Sequence, residues 1–255
     1  MLFKHNNSEN FYTMRGKSQP CKQFRQVIPS AWTVFAIGLC ILTLGGSAKM
    51  HADETISLPS PEKSSDTSVE ETLARRHSTR TYAAQPLTRK QIAQLCWAAA
   101  GKTVDAVSGA TRTYPSAGGI YPGELYVVAG RVKELPPGIY RYDWRNHRLI
   151  LQEKGDFREK ISKAALGQSS IKNAPVNFIM TADIDEMTKT YGERGRKLYI
   201  PIEAGGTAQN IHLQCESLQL GTVMIGAFQN GQLSAILNID DEQPLWIMPV
   251  GVPSR

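Results

Sequence analysis

Residues 191–228 read YGERGRKLYIPIEAGGTAQNIHLQCESLQLGTVMIGAF, and their spacing decides the fold class. From Ile202 to Leu220, apolar and small side chains recur at helical intervals over the longest such run in the chain. Ala204, Gly205 and Ala208 make a small-residue stripe beside Ile211, His212, Cys215 and Leu218. Small residues on one helix face let a second helix approach closely, as at a tightly packed dimer core. Gly221 is expected to end this helix, and Thr222–Ile225 to follow as a strand.

Working outward, Val69–Arg76 and Leu87–Ala100 read as helices, the second capped by Thr88 and ended by Gly101. Leu125–Ala129 and Val176–Met180 are apolar runs of strand length. Gly138–Tyr142 and Arg148–Leu151 flank a polar turn, hence a hairpin. Phe157–Ala165 and Leu233–Leu237 read as short helices, and Pro244–Val250 as the last strand. The βαβαβ rhythm of a doubly wound sheet is missing. The expected class is therefore α+β, a mostly antiparallel sheet with helices on its faces.

Three clusters could carry chemistry. Arg75-Arg76-His77-Ser78-Thr79-Arg80 gathers three guanidiniums and two hydroxyls, a grip suited to a phosphate monoester. Arg112–Pro122 (RTYPSAGGIYP) places adjacent glycines between prolines, beside a strand. Glycine there lets backbone approach a flat ligand closely. Val223–Phe228 (VMIGAF) ends an apolar strand in Gly226, which exposes backbone at a cavity edge. Neither GxGxxG nor GxxxxGK[ST] occurs, so no dinucleotide fingerprint or P-loop is expected.

Taken together and in order, RRHSTRTY (75–82), RTYPSAGGIYPGELYVV (112–128), GIYRYD (138–143), residues 191–221, VMIGAF (223–228) and PLWIMPVGVP (244–253) resemble the SagB-type dehydrogenase branch of the nitroreductase-like flavoproteins. The resemblance implies an intertwined homodimer with FMN at the subunit interface. It implies that Arg76, Ser78 and Arg80 hold the flavin phosphate, with Arg255 reaching it from the C-terminus. Pro115, Ser116, Ala117 and Gly118 would line the isoalloxazine from one side, and Ile225 and Gly226 would pass backbone beside it. Gln209 and Asn210 would sit on the long helix near the site. Gly226 and Tyr199 are the catalytic candidates, the first as an amide near the reactive edge of the ring. Hydride would pass between flavin and a small organic substrate by a ping-pong route, with NAD(P)H a possible donor. Tyr191, Arg194, Arg196 and Tyr199 are candidates for covering the substrate.

Two alternatives stand beside this reading: a peptide thiazoline or oxazoline dehydrogenase, and a flavin-binding module without turnover. Azoline-oxidising relatives often carry an adjacent Lys-Tyr pair before the long helix. Here Leu198 precedes Tyr199, and Gly206 stands where many relatives have histidine after Glu-Ala-Gly.

The chain carries a formal charge of +6, from 29 Lys+Arg and 23 Asp+Glu. Residues 1–48 hold Lys4, Arg15, Lys17, Lys22 and Arg25 against Glu9, which leaves 24 basic and 22 acidic residues in the remainder. The basicity belongs largely to the leader, and nucleic-acid binding is not expected. In that leader the apolar run Val27–Gly46 follows basic residues and ends at Gly45-Gly46-Ser47-Ala48, the order of a signal peptide or an N-terminal membrane anchor. Export of residues 49–255 is the expectation, with 49–68 a flexible linker and 69–255 the folded domain. Cys96 and Cys215 have apolar surroundings that favour two buried thiols over a bridge.

Overall fold

Strand Val176–Asp183 is buried at seven of its eight positions, so helices must cover both of its faces. A computed structural model describes residues 54–106 and 109–254 of the compact unit Lys49–Arg255. The leader 1–48 and Arg255 lie outside the described residues.

In chain order the elements are β1 (Thr55–Ser57), α1 (Val69–Arg75), β2 (Leu87–Thr88), α2 (Arg89–Ala100), β3 (Lys102–Ala106) and β4 (Gly109–Arg112). Next come β5 (Gly123–Ala129), β6 (Val132–Lys133), β7 (Gly138–Asp143), β8 (Arg148–Lys154), α3 (Arg158–Ala164) and α4 (Ser169–Asn173). The chain continues through β9 (Val176–Asp183), α5 (Ile184–Arg194), α6 (Ile200–Ser217), β10 (Gly221–Thr222), α7 (Asn230–Leu237) and β11 (Glu242–Gly251).

Seven strands form the main sheet in the order β1-β8-β7-β5-β9-β11-β10. Each pairing in it is antiparallel, as the α+β reading expected. Side-chain alternation splits the core in two. Leu125, Val127, Phe178, Met180, Trp246 and Met248 face α2 and α6. Val128, Ile179 and Ile247 face Ile161 of α3, Ile171 of α4 and Leu233 of α7. Capping boxes begin α1 (Ser68 with Glu71) and α2 (Thr88 with Gln91), and Gly101 ends α2.

Helix α6 is tied to the sheet by the Trp246 indole N–H, which donates to the Ala204 carbonyl at 2.9 Å. It has no cap of its own at the start, because α5 runs into it through a single π-helical turn, Gly195–Tyr199. Its C-terminus departs from expectation. Gln219, at φ 56°, takes the left-handed position, and the Leu220 N–H donates to the Cys215 carbonyl at 2.8 Å. Gly221 instead pairs with Gly251 in β10, where an added Cβ would fall 2.6 Å from Thr79 Cβ. The expected strand Thr222–Ile225 is reduced to the β10 pairing and an isolated bridge between Ile225 and Ile247.

The linker expectation does not hold over residues 55–58. Thr55–Ser57 pair with Ile150–Arg148 as an edge strand, and Leu58 is buried in the core. The Pro59 carbonyl meets His147 Nε2 at 2.9 Å, and the Glu62 backbone exchanges two hydrogen bonds with the Gln94 side chain. Backbone pairing and one leucine are enough to order this segment, and composition does not register either. Cys96 and Cys215 are free buried thiols, as their surroundings suggested. Among the described residues no helix is long and apolar enough to cross a membrane.

If residues 55–58 are part of the fold, Leu58→Ala should cost about 2–3 kcal/mol of unfolding free energy in urea denaturation. A loss below about 0.5 kcal/mol would restore the linker reading.

Candidate functional site

The arginine-rich segment leaves α1 at Arg75 and is stitched along the open edge of the sheet. The Thr79 N–H donates to the Thr222 carbonyl at 2.8 Å, and Ser78 forms a parallel bridge with Thr222. The Tyr82 hydroxyl meets the carbonyls of Thr79 and Pro249 at 2.6 and 3.0 Å. The Ser254 N–H donates to the Thr81 carbonyl at 3.2 Å. With Thr79 buried as the anchor, Ser78 and Arg80 are exposed and Arg76 is half-buried. Among the described residues, none of these three side chains has a hydrogen-bond or ion-pair partner.

From Thr222 the chain runs on to Gly226, four residues later, roughly 13 Å away if extended. Ile225 exchanges both backbone hydrogen bonds with Ile247, each at 2.9 Å. Gly226 is exposed, with open space where a side chain would stand. Three unpartnered donors thus lie on a segment bridged to Thr222, and an open backbone edge lies four residues further along the chain from Thr222.

Behind the donors stands His212 of α6. Burial foremost, then the nearby Arg76 and His77 charges, push its imidazole down to about 4. It is neutral near pH 7, so arginines supply the positive charge beside it.

The glycine–proline loop lies at the other end of α6. Glu203 is buried, and its Oε1 accepts from the Ser116 hydroxyl at 2.8 Å and the Ala117 N–H at 3.0 Å. Ser116 Oγ in turn accepts from the Tyr121 N–H at 2.9 Å. Burial raises the Glu203 carboxyl above its ordinary range, while the Ala117 and Ser116 hydrogen bonds pull it back. Its second oxygen is buried with no hydrogen-bond partner among the described residues.

Held this way, Pro115 and Gly118 are exposed, and Gly118 is left-handed at φ 64°. A Cβ on Gly118 would fall 2.7 Å from the Tyr191 hydroxyl. The Tyr191 and Tyr199 rings meet edge to face at 5.0 Å and pack with Ala117 and Ile120. Asn210 anchors the strand before this loop, donating to the Thr113 carbonyl at 3.0 Å. Gln209 is exposed on α6.

The expected site residues therefore fall into two groups. Arg76, Ser78, Arg80, Ile225 and Gly226 form one. Pro115, Ser116, Ala117, Gly118 and Tyr199 form the other, with Asn210 tied to its base. Arg255 lies outside the described residues. Glu203 and His212 mark the two groups on α6, nine residues and so about 14 Å apart.

A profile of the Nitroreductase family matches residues 73–252. The chain belongs to the nitroreductase family. A protein of Methanocaldococcus jannaschii that carries the nitroreductase name, MJ1384, is 37% identical over 196 residues, 77% of this chain and 95% of that protein. A solved nitroreductase-family structure from Ralstonia eutropha JMP134 superposes with TM-score 0.68 at 30% identity, covering 79% of this chain and 90% of that one. The Escherichia coli microcin synthetase complex McbBCD, solved with truncated pro-MccB17, contains a chain matching at TM-score 0.63 and 17% identity, over 86% of this chain and 85% of that one. That last likeness is one of fold. Nitroreductase-family folds typically bind FMN, and the fold here is consistent with flavin-dependent redox chemistry.

Sequence reading missed Glu203 as the residue that shapes the loop. A glutamate among small apolar residues in a helix that packs on the sheet was the available signal, since a buried carboxylate needs donors.

Two measurements probe this arrangement. Glu203→Ala strands two loop donors and should cost about 2 kcal/mol or more, whereas Glu203→Gln keeps the accepting oxygen and should cost less than about 1 kcal/mol. The depressed His212 sets a pH dependence. Below pH 6.5 the unfolded chain binds a proton that the folded chain refuses until about pH 4, so stability falls as pH drops through that window. His212→Gln should flatten the loss by roughly 2–3 kcal/mol between pH 7 and pH 4 in chemical denaturation.

Proposed function

We propose that this chain is an FMN-dependent oxidoreductase that acts as a homodimer, each flavin lying between the arginine half-site of one subunit and the loop half-site of the other. The observation that supports it most is the pairing of three unpartnered donors, at Arg76, Ser78 and Arg80, with an open backbone edge at Gly226, roughly 13 Å along the chain from Thr222, a span that FMN covers from phosphate to ring. The residues fit the group. Dianionic phosphate satisfies the three donors, and a flat ring needs an edge free of side chains.

The dimer reading rests on where the half-sites stand. Ile202, Gly205 and Gln209 are exposed and Leu213 half-buried on one stripe of α6, centred midway between Glu203 and His212. Two copies crossing there about a twofold axis bring the Glu203 end of one helix to the His212 end of the other. Each loop then faces the arginines of its partner.

FMN held there would supply hydride exchange between a donor such as NAD(P)H and a small organic acceptor that takes the donor's place. The chain's own residues bind and orient. Arg76, Ser78 and Arg80 donate to phosphate oxygens, and Arg255 follows Ser254, whose amide is bound to Thr81 beside Arg80. The Gly226 amide stands at the ring edge, with Ile225 clamping that strand to Ile247. Pro115, Ser116, Ala117 and Gly118 lie against the ring, with Tyr199 on the substrate side. Gln209 and Asn210 sit where the helices cross.

Complementation tests the reading. An Arg76→Ala/Arg80→Ala variant and a Gly118→Val variant, each shown to be folded by thermal melting, should take up little FMN alone. Co-expressed, they should recover about a quarter of the wild-type flavin content, because half of randomly paired dimers carry one intact site. The arginine variant should also weaken FMN roughly tenfold more than it weakens riboflavin. No recovery would count against the shared site, and no FMN uptake by the wild-type protein would sink the flavin reading.

A further inference from the structure

Beside the loop half-site, several side-chain hydrogen-bond donors have no acceptor among the described residues. Arg194 Nε donates to the Tyr199 hydroxyl oxygen at 3.1 Å, with the guanidinium carbon 5.6 Å from the Tyr199 ring centroid. That bond uses one edge of the guanidinium and leaves its terminal nitrogens without a partner among the described residues. The Tyr199 hydroxyl accepts there and keeps its own proton to donate. The Tyr191 hydroxyl stands over Gly118 and makes no hydrogen bond among the described residues. Arg196, two residues on, is exposed and equally unpaired.

The adjacent carboxylate that could have neutralised this corner is already engaged, since Glu193 pairs with Lys197 at 3.2 Å. Glu203 gives one oxygen to the loop below and buries the other. The corner thus presents an arginine fork beside the Tyr199 hydroxyl, with the Tyr191 hydroxyl over the exposed glycine loop. Its walls are the crossed rings of Tyr191 and Tyr199. Donors without acceptors call for an anion, and the fork geometry of arginine matches the two oxygens of a carboxylate.

We propose that Arg194, with the Tyr199 and Tyr191 hydroxyls, recognises a carboxylate on a planar organic substrate whose conjugated part lies over the glycine loop. This deepens the flavin reading and rests on it for the plane the substrate shares, while the anion contact stands on the side chains alone. Arg194 would act as a specificity residue: it selects which molecule enters and takes no part in electron transfer. The nearby Arg196 would add longer-range attraction, and salt would screen it.

Benzoate and its neutral isostere benzamide separate charge from shape. Binding is followed by titration calorimetry on wild-type protein and on Arg194→Gln, with flavin content read independently from absorbance. Wild-type protein should bind benzoate at least about tenfold more tightly than benzamide. Arg194→Gln should weaken benzoate by roughly tenfold and leave benzamide within about twofold. Equal binding of the two ligands by wild-type protein, or an equal effect of the substitution on both, overturns the proposal. Protein that lacks flavin yet still prefers benzoate through Arg194 would keep the carboxylate site and lose the flavin reading. Flavin-loaded protein that is indifferent to Arg194 would do the reverse.

Discussion

The packing of α6 against the sheet is the constraint from which the rest follows. One indole N–H, from Trp246, reaches the Ala204 carbonyl and sets how far the helix stands along β11. Glu203, one residue earlier, is thereby buried where it must find donors, and the glycine–proline loop supplies them. About two and a half turns later the same helix puts His212 behind the arginine segment. A helix is stiff over this length, so the spacing of the two half-sites is a property of α6 rather than of the loops that carry the ligand-facing groups.

This arrangement also explains why so many polar groups remain unpaired. Arg76, Ser78 and Arg80 are displayed by an extended segment whose Thr79 and Ala83 N–H groups donate to Thr222 and Val252 and whose Thr81 carbonyl accepts from Ser254. The segment cannot turn inward to satisfy its side chains without giving up those bonds. Preorganised donors of this kind favour an anion, because little ordering is left to do when it arrives. The loop half-site uses the opposite device, with side chains tucked under it and backbone left bare at Gly118.

Much of this was legible in the sequence. Helical periodicity located α2 and α6, capping residues placed the start of α2, and apolar runs located β5, β9 and β11. The polar clusters at 75–80 and 112–122 were visible as composition, and their order along the chain carried the family resemblance. What stayed hidden depended on tertiary partners. The edge strand Thr55–Ser57 exists because β8 offers a free ladder, which no local preference announces. Gln219 takes a left-handed conformation that glycine was expected to provide, because the Cys215 carbonyl captures the Leu220 amide. Helix α5 and the π-helical turn after it fall outside the periodic runs, because their charged residues mask the periodicity. The separation of the site into two halves could not be read from residue order at all.

The two buried cysteines carry a consequence of another kind. Cys96 on α2 and Cys215 on α6 are both free, and burial pushes both thiols well above their ordinary range. A thiol reacts through its thiolate, and burial disfavours that form at both sulfurs. The domain is consequently indifferent to the glutathione balance around it: it neither needs an oxidant to mature nor forms mixed disulfides through these two sulfurs.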